Sequence, residues 1–258
     1  MNELIYFLVG LISTTVGAIS GIGGGVIIKP VLDMLGNYDI ASIGVLSAFT
    51  VFSMSIVSLG KSIKNKVKLD GKRTITLAIG SILGGVIGKS AFQIFLNILN
   101  NNVLAQKIQS IILFLLMSAV LILYSKEGKI KGFKIESVSI CFLAGLILGI
   151  IASFLGIGGG PLNVIVLMYV LGMDAKSSAI HSIFIIFFSQ GSKLITILLN
   201  EGFLVYNLEV VVYMILGGIL GGFLGSNFSR RMKREDVKKL FTYCMMLIMC
   251  FNFYNIIK

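Results

Sequence analysis

Two copies of one glycine cluster, Gly21-Ile22-Gly23-Gly24-Gly25 and Gly156-Ile157-Gly158-Gly159-Gly160, interrupt apolar sequence, one in each half of the chain. Glycine takes φ > 0 at no steric cost, so a cluster of it can end one helix and turn the chain into another. The register that lays Gly21 on Gly156 continues beyond the clusters, for Asp39 falls on Asp174, Ser42 on Ser177 and Ser47 on Ser182. After a shift of two residues, Gly80, Gly84, Gly85 and Gly88 fall on Gly217, Gly221, Gly222 and Gly225. The chain is a duplication in which each half breaks a hydrophobic segment at the same point. Interrupted helices at matching places in two halves point to the binding site of a secondary transporter.

The surroundings of the breaks are those of a membrane protein. The chain has 258 residues, 56% of them hydrophobic and 13% charged, with a mean hydropathy of +0.98. Apolar segments run over 4–20, 26–35, 40–60, 74–99, 108–125, 137–155, 161–171, 177–199, 208–228 and 239–257. Most approach or exceed the roughly 20 residues that cross about 30 Å of hydrocarbon. Segments 26–35 and 161–171, each just after a glycine cluster, reach only about 15 Å and read as halves of broken, re-entrant helices. The first apolar run has no basic residues before it and no small-residue cleavage site after it, so it reads as a membrane helix and not a signal peptide.

The net charge of +11 raises the question of nucleic acid, but the basic residues lie in short loops between apolar runs. That placement sets membrane topology, and no nucleic-acid partner is expected. Lys and Arg crowd segments 61–73, 126–134 and 230–239, whereas 36–39, 100–107 and 200–207 hold only Lys107. The positive-inside rule puts the first group in the cytoplasm. This works for all three only if each broken segment enters and returns on one side. The expected architecture is therefore all-α and polytopic, in two inverted repeats. Each is a broken re-entrant hairpin plus three transmembrane helices, with both termini outside the cytoplasm. Residues 1–125 form the first repeat, 126–134 a basic cytoplasmic linker and 135–258 the second. The expected location is the cell (inner or plasma) membrane, crossed many times.

Candidate site residues follow from the breaks. Gly23, Gly24 and Gly25, with Gly158, Gly159 and Gly160, each precede a half-helix. Its free N–H groups and positive dipole end suit an anion; the alternative is that the glycines only permit turning and tight packing. Lys29 and Asn163 lie on the half-helices, and Lys29 either adds positive charge to the site or reaches an interface. Ser47 and Thr50, on the helix after the first half-helix, and His181, Ser182 and Gln190, on its counterpart, could hydrogen-bond oxyanion oxygens or bind helix to helix. Lys89 and Lys193 lie nearer span ends, where snorkelling to the interface is expected. Asp39 and Asp174 read as helix N-caps. Gly80, Gly84 and Gly88, with Gly217, Gly221 and Gly225, put small residues on one helix face, a packing device.

Other chemistry finds little support. Gly84–Ser90 ends like a phosphate loop, but Leu83 stands where that motif needs glycine. Cys141, Cys244 and Cys250 lack metal-ligand spacing, and neither a metal nor a cofactor is expected. With one histidine and no paired acids inside the spans, no catalytic residue is assigned and an enzyme is not expected. All carboxylates lie in loops or near segment ends, so export driven by membrane potential suffices; His181 is the one candidate for proton coupling.

The stretch G-I-G-G-G-V-I-I-K-P-V-L (Gly21–Leu32), the second G-I-G-G-G and the paired glycine-rich helices resemble the TauE/SafE family of sulfite exporter-like permeases. The resemblance spans nearly the whole chain. It implies a permease or exporter for a small anion, above all a sulfur-containing one: sulfite, a sulfonate or a related organic anion. The alternatives are a permease for another small solute, a non-transport scaffold or an intramembrane enzyme. The expected partners are the anionic substrate and the lipid bilayer, with self-association left open. Pro30 matches the family pattern, but its counterpart is Ile165, with Pro161 placed earlier. His181 stands where a related subgroup usually carries Asn.

Overall fold

The computed structural model describes residues 3–64, 71–126, 132, 133, 135 and 137–257. Those residues form ten helices and no strand: α1 (Glu3–Ser20), α2 (Gly25–Leu35), α3 (Ile40–Lys64), α4 (Gly71–Leu99), α5 (Asn102–Ser125), α6 (Val138–Leu155), α7 (Gly160–Tyr169), α8 (Ala175–Asn200), α9 (Val211–Arg231) and α10 (Arg234–Ile257). Eight are long and apolar enough to cross a membrane; α2 and α7, with 11 and 10 residues, are not. Parts of the basic segments 61–73 and 126–134 lie outside the described residues.

Each cluster turns the chain by the same backbone device. Gly21, Gly23 and Gly24 have φ of 77°, 85° and 78°, and Gly156, Gly158 and Gly159 have 70°, 75° and 76°. These are left-handed values that a side chain disfavours, at matching positions in both copies. Gly24 then caps α2, and Gly159 caps α7. Asp174 caps α8, accepting from the N–H groups of Lys176 (3.0 Å) and Ser177 (3.2 Å). Asp39 does the same for α3, accepting from the Ser42 N–H at 2.9 Å.

The helices then pack across the halves. A Cβ added to Gly217 would lie 2.6 Å from the Phe7 carbonyl oxygen, and one on Gly221 2.6 Å from that of Leu11, so α9 lies hard against α1. Added Cβ atoms on Gly80, Gly84 and Gly88 would overlap the carbonyls of Phe142, Leu146 and Ile150 on α6. The α1/α9 and α4/α6 pairs are one contact, moved by the repeat. In both, residue numbers rise together, so the paired helices run parallel. Counterparts α3 and α8 instead run antiparallel: Gly44 faces Lys193, and Phe52 stacks on Phe187 at 5.3 Å between centroids. Those two phenylalanines are themselves repeat equivalents, in the register that lays Gly21 on Gly156. Helices α5 and α10 are likewise antiparallel, through the Tyr124–Phe241 and Phe114–Phe253 ring pairs.

The distribution of side chains is that of a protein in lipid. Large apolar residues such as Leu115, Ile122, Leu143 and Phe223 face outward, while Ser13, Thr14, Lys29, Asp33, Ser47, Thr50, Asn163 and Gln190 are buried. In water the outward set would form an apolar surface far larger than soluble proteins tolerate. In a bilayer it contacts hydrocarbon, and the costly polar groups face the bundle interior. The chain is a multi-pass membrane protein.

Candidate functional site

The two breaks cross each other in the middle of the molecule. A Cβ on Gly25 would lie 2.7 Å from the Ile157 carbonyl oxygen, and one on Gly160 would overlap the Ile22 carbonyl. Gly25 and Gly160 are equivalent in the repeat, as are Ile22 and Ile157, so the two contacts are images of each other. Each half-helix therefore begins against a carbonyl of the opposite break. The close backbone approach that glycine allows is taken up here by the other copy of the motif.

Of the side chains expected at a site, Ser47, Asn163, Ser182 and Gln190 gather around this crossing, while Thr50 and His181 bond within their own helices. The Ser182 hydroxyl donates to the Gly21 carbonyl at 2.7 Å and lies 3.3 Å from that of Gly160, so it ties the breaks together. Ser47 Oγ would lie 3.0 Å from a Cβ on Gly25, Asn163 Oδ1 3.5 Å from one on Gly159, and Gln190 Nε2 3.5 Å from one on Gly158. Thr50 donates to the Leu46 carbonyl one turn back on its own helix at 2.7 Å. His181 places Nδ1 2.8 Å from the Ser177 carbonyl, also one turn back.

Lys29 belongs to a different place. It lines a narrow cavity of about 30 Å³ with Lys89, Lys193, Gln109, Ser153 and Tyr206. The cavity lies at the start of α3 (Ile40, Ala41, Gly44, Val45) and the end of α8. Three cations line it and no carboxylate does, among the described residues. Lys29 is paired behind the wall with Asp33 at 2.8 Å, both nearly fully buried. Asp33 lies near the end of the 26–35 segment, so sequence position alone does not reveal this interior carboxylate. Lys89 pairs with Glu201 at 3.0 Å, and the Tyr206 hydroxyl donates to the other oxygen of that carboxylate. Hydrogen bonding from Tyr206 and the Lys89 charge hold Glu201 below the usual carboxylate range despite partial burial. Burial and the same carboxylate push the Tyr206 phenol up. Lys193 donates to the Gly44 carbonyl at 2.8 Å. Lys193 thus turns inward to α3, away from the interface that its sequence position suggests, whereas Lys89 reaches Glu201 just past the end of α8.

A second cavity, of about 220 Å³, lies at the other end of the α3/α8 pair. Lys61, Lys176 and Arg230 line it with the serines 58, 62, 226 and 229, again without a carboxylate among the described residues. Lys61 donates to the Asn227 side chain at 2.7 Å and Lys176 to the Met232 carbonyl at 3.0 Å. Much of its wall is the repeat image of the first cavity's, though Lys61 and Arg230 have no counterpart there. Ala41, Val45, Ser153, Lys193 and Ile197 become Lys176, Ile180, Ala18, Ser58 and Ser62 in the register of the glycine clusters. Lys89 and Phe92 become Ser226 and Ser229 in the shifted register of the glycine-rich helices. Among the described residues no cluster of three or more His, Cys, Asp or Glu is placed to hold a metal ion.

Broken helices crossing inside a polytopic bundle, with cation-lined cavities at either end, belong to membrane transport proteins as a class. The chain belongs to the sulfite exporter TauE/SafE family, which it matches over residues 6–252. It is 26% identical to the probable membrane transporter protein YunE of Bacillus subtilis, over 97% of both chains. A probable membrane transporter protein of Methanocaldococcus jannaschii is 29% identical over 66% of this chain and 61% of its own length. One of Haemophilus influenzae is 28% identical over 69% and 65%. No solved structure matches the chain.

Proposed function

We propose that this protein is a permease for a small anion, with sulfur oxyanions such as sulfite as the substrate class, and that it is built as two inverted repeats. Residues 1–125 and 135–258 are the repeats and the basic segment 126–134 joins them on the cytoplasmic side. The antiparallel course of the counterparts α3 and α8 supports the inversion, because a repeat turned over in the membrane reverses every helix. The basic ends of α3 and α9 favour a cytoplasmic position for the larger cavity.

The observation that carries the function is the pair of cation-lined cavities at opposite ends of α3 and α8, with the crossed breaks between them. Cations without lining carboxylates favour anions at both mouths. A close-packed crossing gives a place to alternate access, by rocking one repeat against the other. An anion leaving a negative-inside cell is driven by about 2.3 kcal/mol per charge per 100 mV, so export needs no coupling ion. The family name, sulfite exporter, supports the choice of substrate.

The test is sulfite flux in proteoliposomes with potential and ΔpH imposed separately. Flux should follow the potential and persist at zero ΔpH. Absence of flux for sulfite and for organic sulfonates under either gradient overturns the reading. Accumulation driven by ΔpH alone, unchanged in His181→Asn, overturns both the potential-driven mechanism and proton transfer through that histidine.

A further inference from the structure

We propose that the smaller cavity is a binding site for a compact inorganic anion, in which Lys193 is the cation that meets it. This rests on the anion-permease reading and assigns its ligand to one set of side chains.

The charges around the cavity single out Lys193. Three lysines line the space. Asp33 balances Lys29 and Glu201 balances Lys89, each within 3.0 Å. Lys193 has a neutral partner, the Gly44 carbonyl, and feels the like charges of Lys89 and Lys29. Those five groups together leave one positive charge without a counter-ion. An uncompensated cation in a low-dielectric interior is costly, and such groups inside membranes mark substrate pathways. A monoanion in the cavity would give Lys193 the counter-ion it lacks.

Two features separate this arrangement from architecture and from topology. Lys29, Lys89 and Lys193 correspond to Val164, Ser226 and Ser58 in the other repeat. The duplicated scaffold therefore packs without lysine at these positions, and these three lysines belong to one copy alone. The cavity also lies at the end of the bundle away from the basic loops, where orientation in the membrane requires no lysine.

Neutral groups complete the site. Ser153 lines the cavity with a buried hydroxyl that has no hydrogen-bond partner, so its proton is available to an anion oxygen. Gln109, nearly fully buried, uses its amide N–H on the Phe154 carbonyl and leaves its oxygen unpartnered. Size sets the ligand class. A space of about 30 Å³ holds one or two water-sized groups. A three-oxygen anion is the largest ligand this space can take, and only with the lining side chains, Lys193 among them, drawn back slightly. The carbon chain of an aminosulfonate has no room.

The experiment uses the purified full-length protein in two assays: initial sulfite flux in proteoliposomes, and the melting temperature in detergent with sulfite, chloride or taurine added. Wild type, Lys193→Met and Lys193→Arg are compared. Losing one charge-assisted hydrogen bond should raise the KM for sulfite by about ten- to a hundredfold in Lys193→Met, with Lys193→Arg recovering most of it. Sulfite should raise the wild-type melting temperature and leave that of Lys193→Met unmoved, while taurine shifts neither. Unliganded Lys193→Met should melt at or above the wild-type temperature, because it loses an unbalanced charge; this separates lost binding from lost folding. Wild-type flux with an unchanged KM in Lys193→Met overturns the site and leaves the permease reading standing. A taurine shift equal to that of sulfite overturns the compact-anion assignment. No flux in wild type overturns the permease reading itself.

Discussion

Adding one methyl group at the crossing should damage the protein in an order set by backbone distances. Gly160 and Gly25 are equivalent positions facing carbonyl oxygens of the opposite break. In Gly25→Ala the new Cβ would lie 2.7 Å from the Ile157 oxygen and 3.0 Å from Ser47 Oγ. The serine can rotate away, so the backbone must yield by only about 0.5 Å to reach an ordinary carbon–oxygen approach. In Gly160→Ala the Cβ overlaps the Ile22 carbonyl oxygen, carbon and Cα, all backbone, and the breaks must separate by more than an ångström. Neither residue has positive φ, so the effect is steric and not conformational. Overpacking of this kind costs about 1–3 kcal/mol, and the two variants should fall at the lower and upper ends of that range. Gly85→Ala is the control, since its Cβ meets nothing within 4 Å and alanine favours the helix by about 0.4–1 kcal/mol. The assay is thermal unfolding in detergent beside anion flux at fixed potential. Melting temperature should fall in the order Gly85→Ala, Gly25→Ala, Gly160→Ala, with flux lost most completely in the last. Wild-type stability and flux in Gly160→Ala would show that the breaks do not meet as described.

Two further outcomes follow from the ends of α8. Asp174→Ala removes the cap of α8 and should cost about 1 kcal/mol. Burial raises the Asp174 carboxyl, but hydrogen bonds from Ser177 and Lys176 and the Arg234 charge outweigh it, so its pKa in the fold is depressed. Its contribution is thus complete above the unfolded value of about 3.9 and lost as pH falls through the lower folded value. Melting of wild type and Asp174→Ala should differ equally at every pH from 5 to 8 and converge only in strong acid; convergence near neutrality contradicts this. Glu201→Gln releases Lys89 from its counter-ion and should tighten sulfite binding, read as a lower KM. A raised KM would show that the carboxylate positions Lys89 and does not restrain it.

The duplication, the broken half-helices and the packing role of the small-residue stripes are legible in the sequence because each is local or periodic. A fixed register between the halves and glycines spaced by one helical turn need no knowledge of partners. The helix caps Asp39 and Asp174 are legible for the same reason. Where side chains meet across helices, legibility ends. Lys89 and Lys193 stand near span ends in the sequence, and only the contact of α8 with the start of α3 turns Lys193 toward Gly44. Ser182 reads as a substrate hydroxyl, yet its proton is committed to the Gly21 carbonyl of a distant break. Lys29 and Asp33, one turn apart on one short helix, could have been read as an ion pair; the signal was present in the spacing. The pairing of α4 with α6 and of α1 with α9 is not written in either half, since it joins one half to the other.

Labelling Ser62 and Ile197 decides whether the two cavities open to opposite sides of the membrane. These positions are repeat equivalents and line the larger and the smaller cavity. Each would be changed to cysteine in a background lacking Cys141, Cys244 and Cys250, then exposed in oriented vesicles to a membrane-impermeant thiol reagent. Ser62→Cys should react only from the cytoplasmic face and Ile197→Cys only from the opposite face, more slowly because its cavity is narrower. Reaction of both from the same face would contradict the inverted repeat and the transport path built on it.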